Sequence, residues 1–273
     1  MDKSPWPLFN SLNALNLLFS SLTYTYFSQE LVSLEISILL LFLTMILWWR
    51  DIIRESSYQG HHTYNVYIGM KISMMLFISS EIMFFLSFFW SFFYNSLSPE
   101  LEIGNNWPPI GISMMNPYQM PLLNTLILLT SGSTVTWAHY SILMKKYNES
   151  FFNLFMTILL GVLFSFLQIT EYSFAEFCMN DSIFGSIFFM ATGFHGLHVI
   201  IGSLFLTHNL WQIWLNQFSS LHHFSFEAAA WYWHFVDVVW IYLYTFMYWW
   251  FYFLINMCKS MFNFQLKSFK KMK

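Results

Sequence analysis

The chain has 273 residues, of which 57% are hydrophobic and only 9% charged, with a formal net charge of -3; an ordinary soluble domain is roughly 25% charged. So few charges cannot cover a water-soluble fold, and the 11 Lys and Arg lie at chain ends and in short loops, not in the basic patch that a nucleic-acid partner requires. What remains is a membrane protein, and the 22% of aromatic residues suits lipid-facing surfaces and interfacial belts.

A bilayer core about 30 Å thick takes about 20 apolar residues in a helix. That length can be marked off at approximately 8–27, 31–49, 68–94, 122–144, 151–170, 183–207 and 228–255, which predicts an all-α membrane protein with seven transmembrane helices in a single domain, 1–273. The opening "MDKSPWPLFNSLNALNLLF" lacks the compact apolar region and the cleavage site of a secretory signal. Asn10, Asn13, Asn16 and several serines dilute the first span. After the second comes "WWRDIIRESSYQGHH", 48–62, where aromatics followed by cations at a helix end read as a headgroup-level anchor or as an ordinary solvated end. Arg50 and Arg54, on adjacent turns, suit a lipid phosphate.

The third span holds "LFISSEIMFFLSFFW", 76–90, with Glu81 among phenylalanines, leucines and isoleucines. Burying a charged carboxylate costs several kcal/mol or more, so Glu81 needs a partner or a use. Apolar surroundings favour its neutral form. Pro99, Pro108, Pro109, Pro117 and Pro121 mark 95–121 as an irregular loop around the turn "NNWPPIG". Cys178 and Cys258 are too few for a disulfide framework or a thiolate metal site.

The last two spans carry His195 and His198 in "TGFHGLHVIIG", and Glu227, His234 and Asp237 in "FEAAAWYWHFVDVVW". At about 100° per residue, His195 and His198 share a helix face, as do Glu227 and His234, with Asp237 a little further round. Three readings stay open: a buried hydrogen-bonded network that holds the helices in register, metal or haem ligation, and a proton-handling role for Glu81. Gly132, Gly161, Gly185, Gly193, Gly196 and Gly202 lie within spans, where small residues let backbones approach. Residues 256–273 form a polar, lysine-bearing tail.

Alternating the spans puts Lys3, Arg50, Arg54, Lys71, Lys145 and Lys146 on one side and Glu30, Glu100, Glu102, Glu171, Glu176 and Asp181 on the other. The positive side is the cytoplasm or its topological equivalent, the mitochondrial matrix, and the N-terminus lies there. Lys259, Lys267, Lys270, Lys271 and Lys273 in the tail run against this count.

The groups "GHH" at 60–62, "HGLH" at 195–198 and "HH" at 222–223 invite comparison with membrane desaturases, but Tyr58 and Ser219 or Ser220 stand where an HxxHH box needs another His. A retinal protein needs a lysine inside the last span, and the lysines from Lys259 onward lie past it. A receptor would place its N-terminus on the opposite side. A bis-His haem between His195 or His198 and His234 remains open.

The strings "WWRDIIRES.YQGHHT", "LFISSEIMFF.SFFW", "NNWPPIGI", "PLLNTLILL.SG", "WAHYS", "ATGFHGLHVIIGS" and "HHFSFEAAAWYWHFVDVVWIYLY" resemble mitochondrially encoded subunit III of cytochrome c oxidase, over about residues 4 to 250. The resemblance implies that helices one and two lean away from helices three to seven, with lipid in a V-shaped cleft between the two bundles. It also implies an accessory subunit of respiratory complex IV, packed on subunit I beside subunit II and small accessory subunits, in the mitochondrial inner membrane. Its N-terminus lies in the matrix and its C-terminus in the intermembrane space. Haem and copper then sit in the partner subunits, this chain holds structural phospholipids but no catalytic residue, metal or cofactor, and it supports proton uptake and protects the catalytic centre.

By motif, the family's lipid contacts fall on Trp49, Arg54, Glu55 and His62, and its carbodiimide-reactive buried glutamate falls on Glu81. The chain departs from the family pattern in having no basic residue between Lys146 and Lys259, and in placing Tyr64 where Pro often follows "HHT". The alternative is a desaturase-like, histidine-ligated membrane metalloenzyme or a haem protein.

Overall fold

The computed structural model describes residues 4–27, 31–101, 104–109, 111–250 and 252–253. Lys3, Glu30 and Glu102 of the charge count, and the tail 256–273, lie outside the described residues. The described residues form seven α-helices and no strand: α1 Trp6–Phe27, α2 Leu31–Ser57, α3 Tyr64–Leu97, α4 Met120–Leu143, α5 Tyr147–Ser173, α6 Ile183–Trp214 and α7 Phe224–Leu243, the last continued by a π-helical segment, Tyr244–Trp250. Helices α2, α3, α5 and α6 are long and apolar enough to cross a membrane by length and composition. At 22, 24 and 20 residues, α1, α4 and α7 also reach the length a bilayer requires.

The chain divides into two compact units, 1–70 and 71–273, with the boundary inside α3. In the first unit, the polar residues that dilute α1 form rungs to α2. The Thr44 hydroxyl donates to Asn10 Oδ1 and accepts from Asn13 Nδ2 at 3.2 Å, and Ser20 meets Ser37 at 2.8 Å. At the helix end, Trp6 Nε1 donates to Asp51 Oδ2 at 2.6 Å. Lipid gives no hydrophobic drive for two apolar helices to associate, so side-chain bonds of this kind contribute to their adhesion. Beyond α2, Gly60 at φ 67° takes the left-handed turn that glycine allows at least cost.

In the second unit, α4 packs on α5 and α7, α5 on α6, and α6 on α7. Pro121 in the first turn suits the start of α4. The Ser182 hydroxyl caps α6 by accepting from the Gly185 amide at 3.1 Å. The packing centre is Trp233, fully buried, with Nε1 donating to Ser131 Oγ at 2.9 Å. Its indole fills a notch left by two glycines: a Cβ on Gly161 or Gly202 would come within 2.6 or 2.9 Å of the ring. Gly132 similarly makes room for Asp237, whereas a Cβ on Gly193 or Gly196 would have nothing within 4 Å. The close-approach reading holds at Gly185, where a Cβ would collide with the Cys178 backbone carbonyl, and needs correcting elsewhere. Gly132, Gly161 and Gly202 admit bulky side chains, and Gly193 and Gly196 admit nothing.

Helix α3 joins the unit through aromatic edges, Phe84 on Phe194 at 5.0 Å and Phe93 on Phe246 at 5.1 Å between ring centroids. In the proline-rich loop, Trp107 lies between Phe92 and Phe184, at 6.0 and 5.8 Å.

Candidate functional site

The end of α2 and the loop after it carry the first group of candidate residues. Trp49 is 58% exposed, Arg54 is exposed, and Glu55 and His62 are half-buried. At about 100° per residue, Trp49, Arg54 and Glu55 point to three sides of the helix. Arg50 is held by Asp51 at 3.0 Å, which also accepts from Trp6.

In the second unit, Glu81 Oε2 on α3 lies 3.0 Å from His198 Nε2 on α6, and the Glu81 side chain keeps 23% exposure. The other ring nitrogen settles the chemistry of this contact. His198 Nδ1 is 2.6 Å from the Phe194 carbonyl; a carbonyl only accepts, so Nδ1 carries a proton. In the neutral ring Nε2 then offers a lone pair, and the proton between the two side chains must come from the carboxyl. The alternative, imidazolium with carboxylate, has the same number of protons, so the pair is neutral overall either way. The rings of Phe85, Phe84 and Tyr232 enclose His198 at 5.0, 6.4 and 6.2 Å.

The other four members of the anticipated network do not join this pair. His195, fully buried, directs Nε2 to the Val236 carbonyl at 3.2 Å and packs on Trp240 and Phe164 at 5.1 and 5.5 Å. Asp237 Oδ2 lies 3.7 Å from His234 Nδ1, whose side chain is 41% exposed. Glu227 accepts an ion pair from Lys71 at 2.8 Å and lies 3.6 Å from His223 Nε2. A single network is thus corrected to four separate arrangements. Glu227 and His234 share an azimuth on α7, but seven residues of rise separate them by roughly 10 Å. His195 and His198 differ by about 60°, which turns one to α7 and the other to α3.

This geometry also removes the haem and desaturase readings for these histidines. The ring nitrogens of His195 and His198 that face a neighbouring helix bond to Val236 and Glu81 respectively, and the rings occupy separate aromatic enclosures.

His139 escaped the sequence reading. Its Nε2 lies 3.2 Å from His223 Nε2, and His223 Nδ1 donates to the Ser219 carbonyl at 3.0 Å, so in the neutral ring His223 Nε2 is the acceptor. With Glu227, their ligating atoms lie within 4.8 Å of one another, a grouping able to hold a metal ion, although Lys71 already neutralises the carboxylate. Sequence spacing gave no sign of this group, because 84 residues separate the two histidines. A second polar group, Asn124, Gln168, Glu171 and Tyr248, also went unread; of these only Glu171 had been placed, as a loop charge.

The family model described as cytochrome c oxidase subunit III matches residues 1–252. Among similar proteins, cytochrome c oxidase subunit 3 of Tetraodon nigroviridis is 54% identical over 250 residues, 92% of this chain and 95% of that protein. The same subunit of Heterololigo bleekeri is 52% identical over 250 residues, 92% and 96% of the two chains, and that of Drosophila melanogaster is 52% identical over 92% and 95%. With seven α-helices among the described residues, the long ones able to cross a membrane, and an agreement that runs through nearly its full length, this protein belongs to the cytochrome c oxidase subunit III family.

Proposed function

We propose that this chain is the accessory core subunit of complex IV in the mitochondrial inner membrane, without a redox centre of its own. It acts there as one seven-helix domain, with α1 and α2 set apart from the remaining helices by a phospholipid-filled cleft. It packs on subunit I, beside subunit II and small accessory subunits, stabilises the catalytic subunit and supports proton uptake during reduction of oxygen to water. The match of the family over residues 1–252 carries this reading. Trp49, Arg54 and Glu55 at the end of α2, and His62 in the loop after it, meet phospholipid headgroups from different sides of the helix end. Their mix of aromatic, cationic and hydrogen-bonding groups at a helix end supports that role.

Glu81 serves as a neutral, His198-bonded carboxyl that fixes α3 to α6 without conducting the pumped protons. With the Nδ1 proton of His198 committed to the Phe194 carbonyl, a neutral His198 places the shared proton on Glu81.

The test is to separate this chain from its partners in mild detergent and measure haem, metals and phospholipid on each fraction. Haem and copper leaving with larger polypeptides, while phospholipid stays with this chain, is the expected result. Stoichiometric haem or iron remaining on the isolated chain would overturn the accessory reading.

A further inference from the structure

We propose that the polar chamber formed by Asn124 of α4, Gln168 and Glu171 of α5 and Tyr248 of the π-helical segment is a water-binding site, in which one integral water bridges three buried polar atoms.

The residues are almost wholly enclosed: Asn124 is 0%, Gln168 3%, Glu171 4% and Tyr248 2% exposed. Two direct bonds organise them. Asn124 Nδ2 donates to Gln168 Oε1 at 3.2 Å, and the Tyr248 hydroxyl donates to Glu171 Oε1 at 2.7 Å. Each bond leaves the other end of a group unserved: Asn124 Oδ1, Gln168 Nε2 and Glu171 Oε2 are buried with no hydrogen-bond partner among the described residues. The Gln168 amide lies beside the hydroxyls of Tyr172 and Tyr248, but its Nε2 meets no acceptor at bonding geometry. Tyr172 donates instead to Thr192 of α6 at 2.8 Å.

Each buried, unmade bond is costly, and folded proteins leave few of them, so three in one enclosure point to a ligand that serves all three. The inventory of atoms selects it. Asn124 Oδ1 is an acceptor and Gln168 Nε2 an N–H donor, while Glu171 Oε2 accepts if the carboxyl is ionised and donates if it is protonated. A water donates to Asn124 Oδ1, accepts from the amide, and either donates to or accepts from Glu171 Oε2, which makes the three bonds typical of a buried water. A hard cation would require oxygen ligands on all sides, and the amide donor opposes it. An apolar molecule would satisfy none of the three atoms.

The backbone supports a built site. The chain switches from α to π at Tyr244, and π segments shift the facing of the residues beyond them and recur at functional sites. Here the switch accompanies the placement of Tyr248 against Glu171. The water then joins α4 to α5, completing a set of ties in which Tyr248 holds the end of α7 and Tyr172 holds α6.

The test is a cryo-EM map of the intact oxidase complex containing this chain, at a resolution that shows ordered water. A density peak within about 2.6–3.2 Å of at least two of the three atoms is expected. In a Gln168→Met complex the peak should disappear while the Tyr248–Glu171 contact stays. Direct bonds among the three atoms with no peak between them would overturn the proposal, and so would a peak ringed only by oxygens at the shorter distances of a metal ion. The unsubstituted complex decides the matter even if the variant does not assemble.

Discussion

Glu81 and His198 share one hydrogen bond, and the Nδ1 proton of His198 is committed to the Phe194 carbonyl. Gln can donate an amide proton to His198 Nε2 as the neutral carboxyl does. Glu81→Gln is therefore expected to leave oxidase turnover and proton pumping near normal, and loss of pumping in an assembled complex would contradict this. Glu81→Leu strands the His198 lone pair and should cost about 1–3 kcal/mol, seen as release of this chain from the complex at lower temperature. The glycines make a paired prediction. Gly161→Ala forces a methyl to within 2.6 Å of Trp233 and should destabilise by about 1–3 kcal/mol through overpacking. Gly193→Ala meets nothing within 4 Å and should be neutral or gain a little helix stability. Thermal unfolding of the two variants side by side would check the contrast.

At the scale of elements, the polar side chains of α1 act as adhesion. Thr44 is the shared partner of Asn10 and Asn13, so Thr44→Val removes two rungs at once. The expected cost is about 1–2 kcal/mol, given that hydrogen bonds between membrane helices contribute about 0.6–2 kcal/mol each. Limited proteolysis between α1 and α2 should then proceed faster than in the parent, and an unchanged rate would show that the rungs contribute nothing. This arrangement was half legible. The asparagines were visible as a departure from an apolar span, but which helix they would meet depended on the facing of α2. The histidine and carboxylate faces of α6 and α7 were misread for a related reason. Azimuth comes from residue spacing, but contact also needs the same height along the axis and a partner on the neighbouring helix.

For the whole molecule, the count of cations predicts an N-terminus in the matrix. In mitoplasts with an intact inner membrane, an added protease should cut the 95–121 loop and spare the segment before α1. Cleavage ahead of α1 with that loop intact would reverse the orientation. The family assignment was legible in long strings such as "YWHFVDVVW" and "WWRD", and the match over residues 1–252 agrees with it.

Sequence alone determined that the protein is an all-helical membrane chain with long apolar helices, and to which family it belongs. Both follow from local quantities: the run of apolar residues that a bilayer demands, and the order of rare residues along the chain. Only the tertiary structure decided the partners of the polar groups. It took Glu81 to His198, Glu227 to Lys71, His139 to His223 and Tyr248 to Glu171. Those pairings join residues 77 to 156 positions apart, and a buried polar side chain bonds to whatever the packing of bulky rings and the gaps at Gly161 and Gly202 bring beside it. Helix packing sets that proximity, and no spacing within a single helix encodes it.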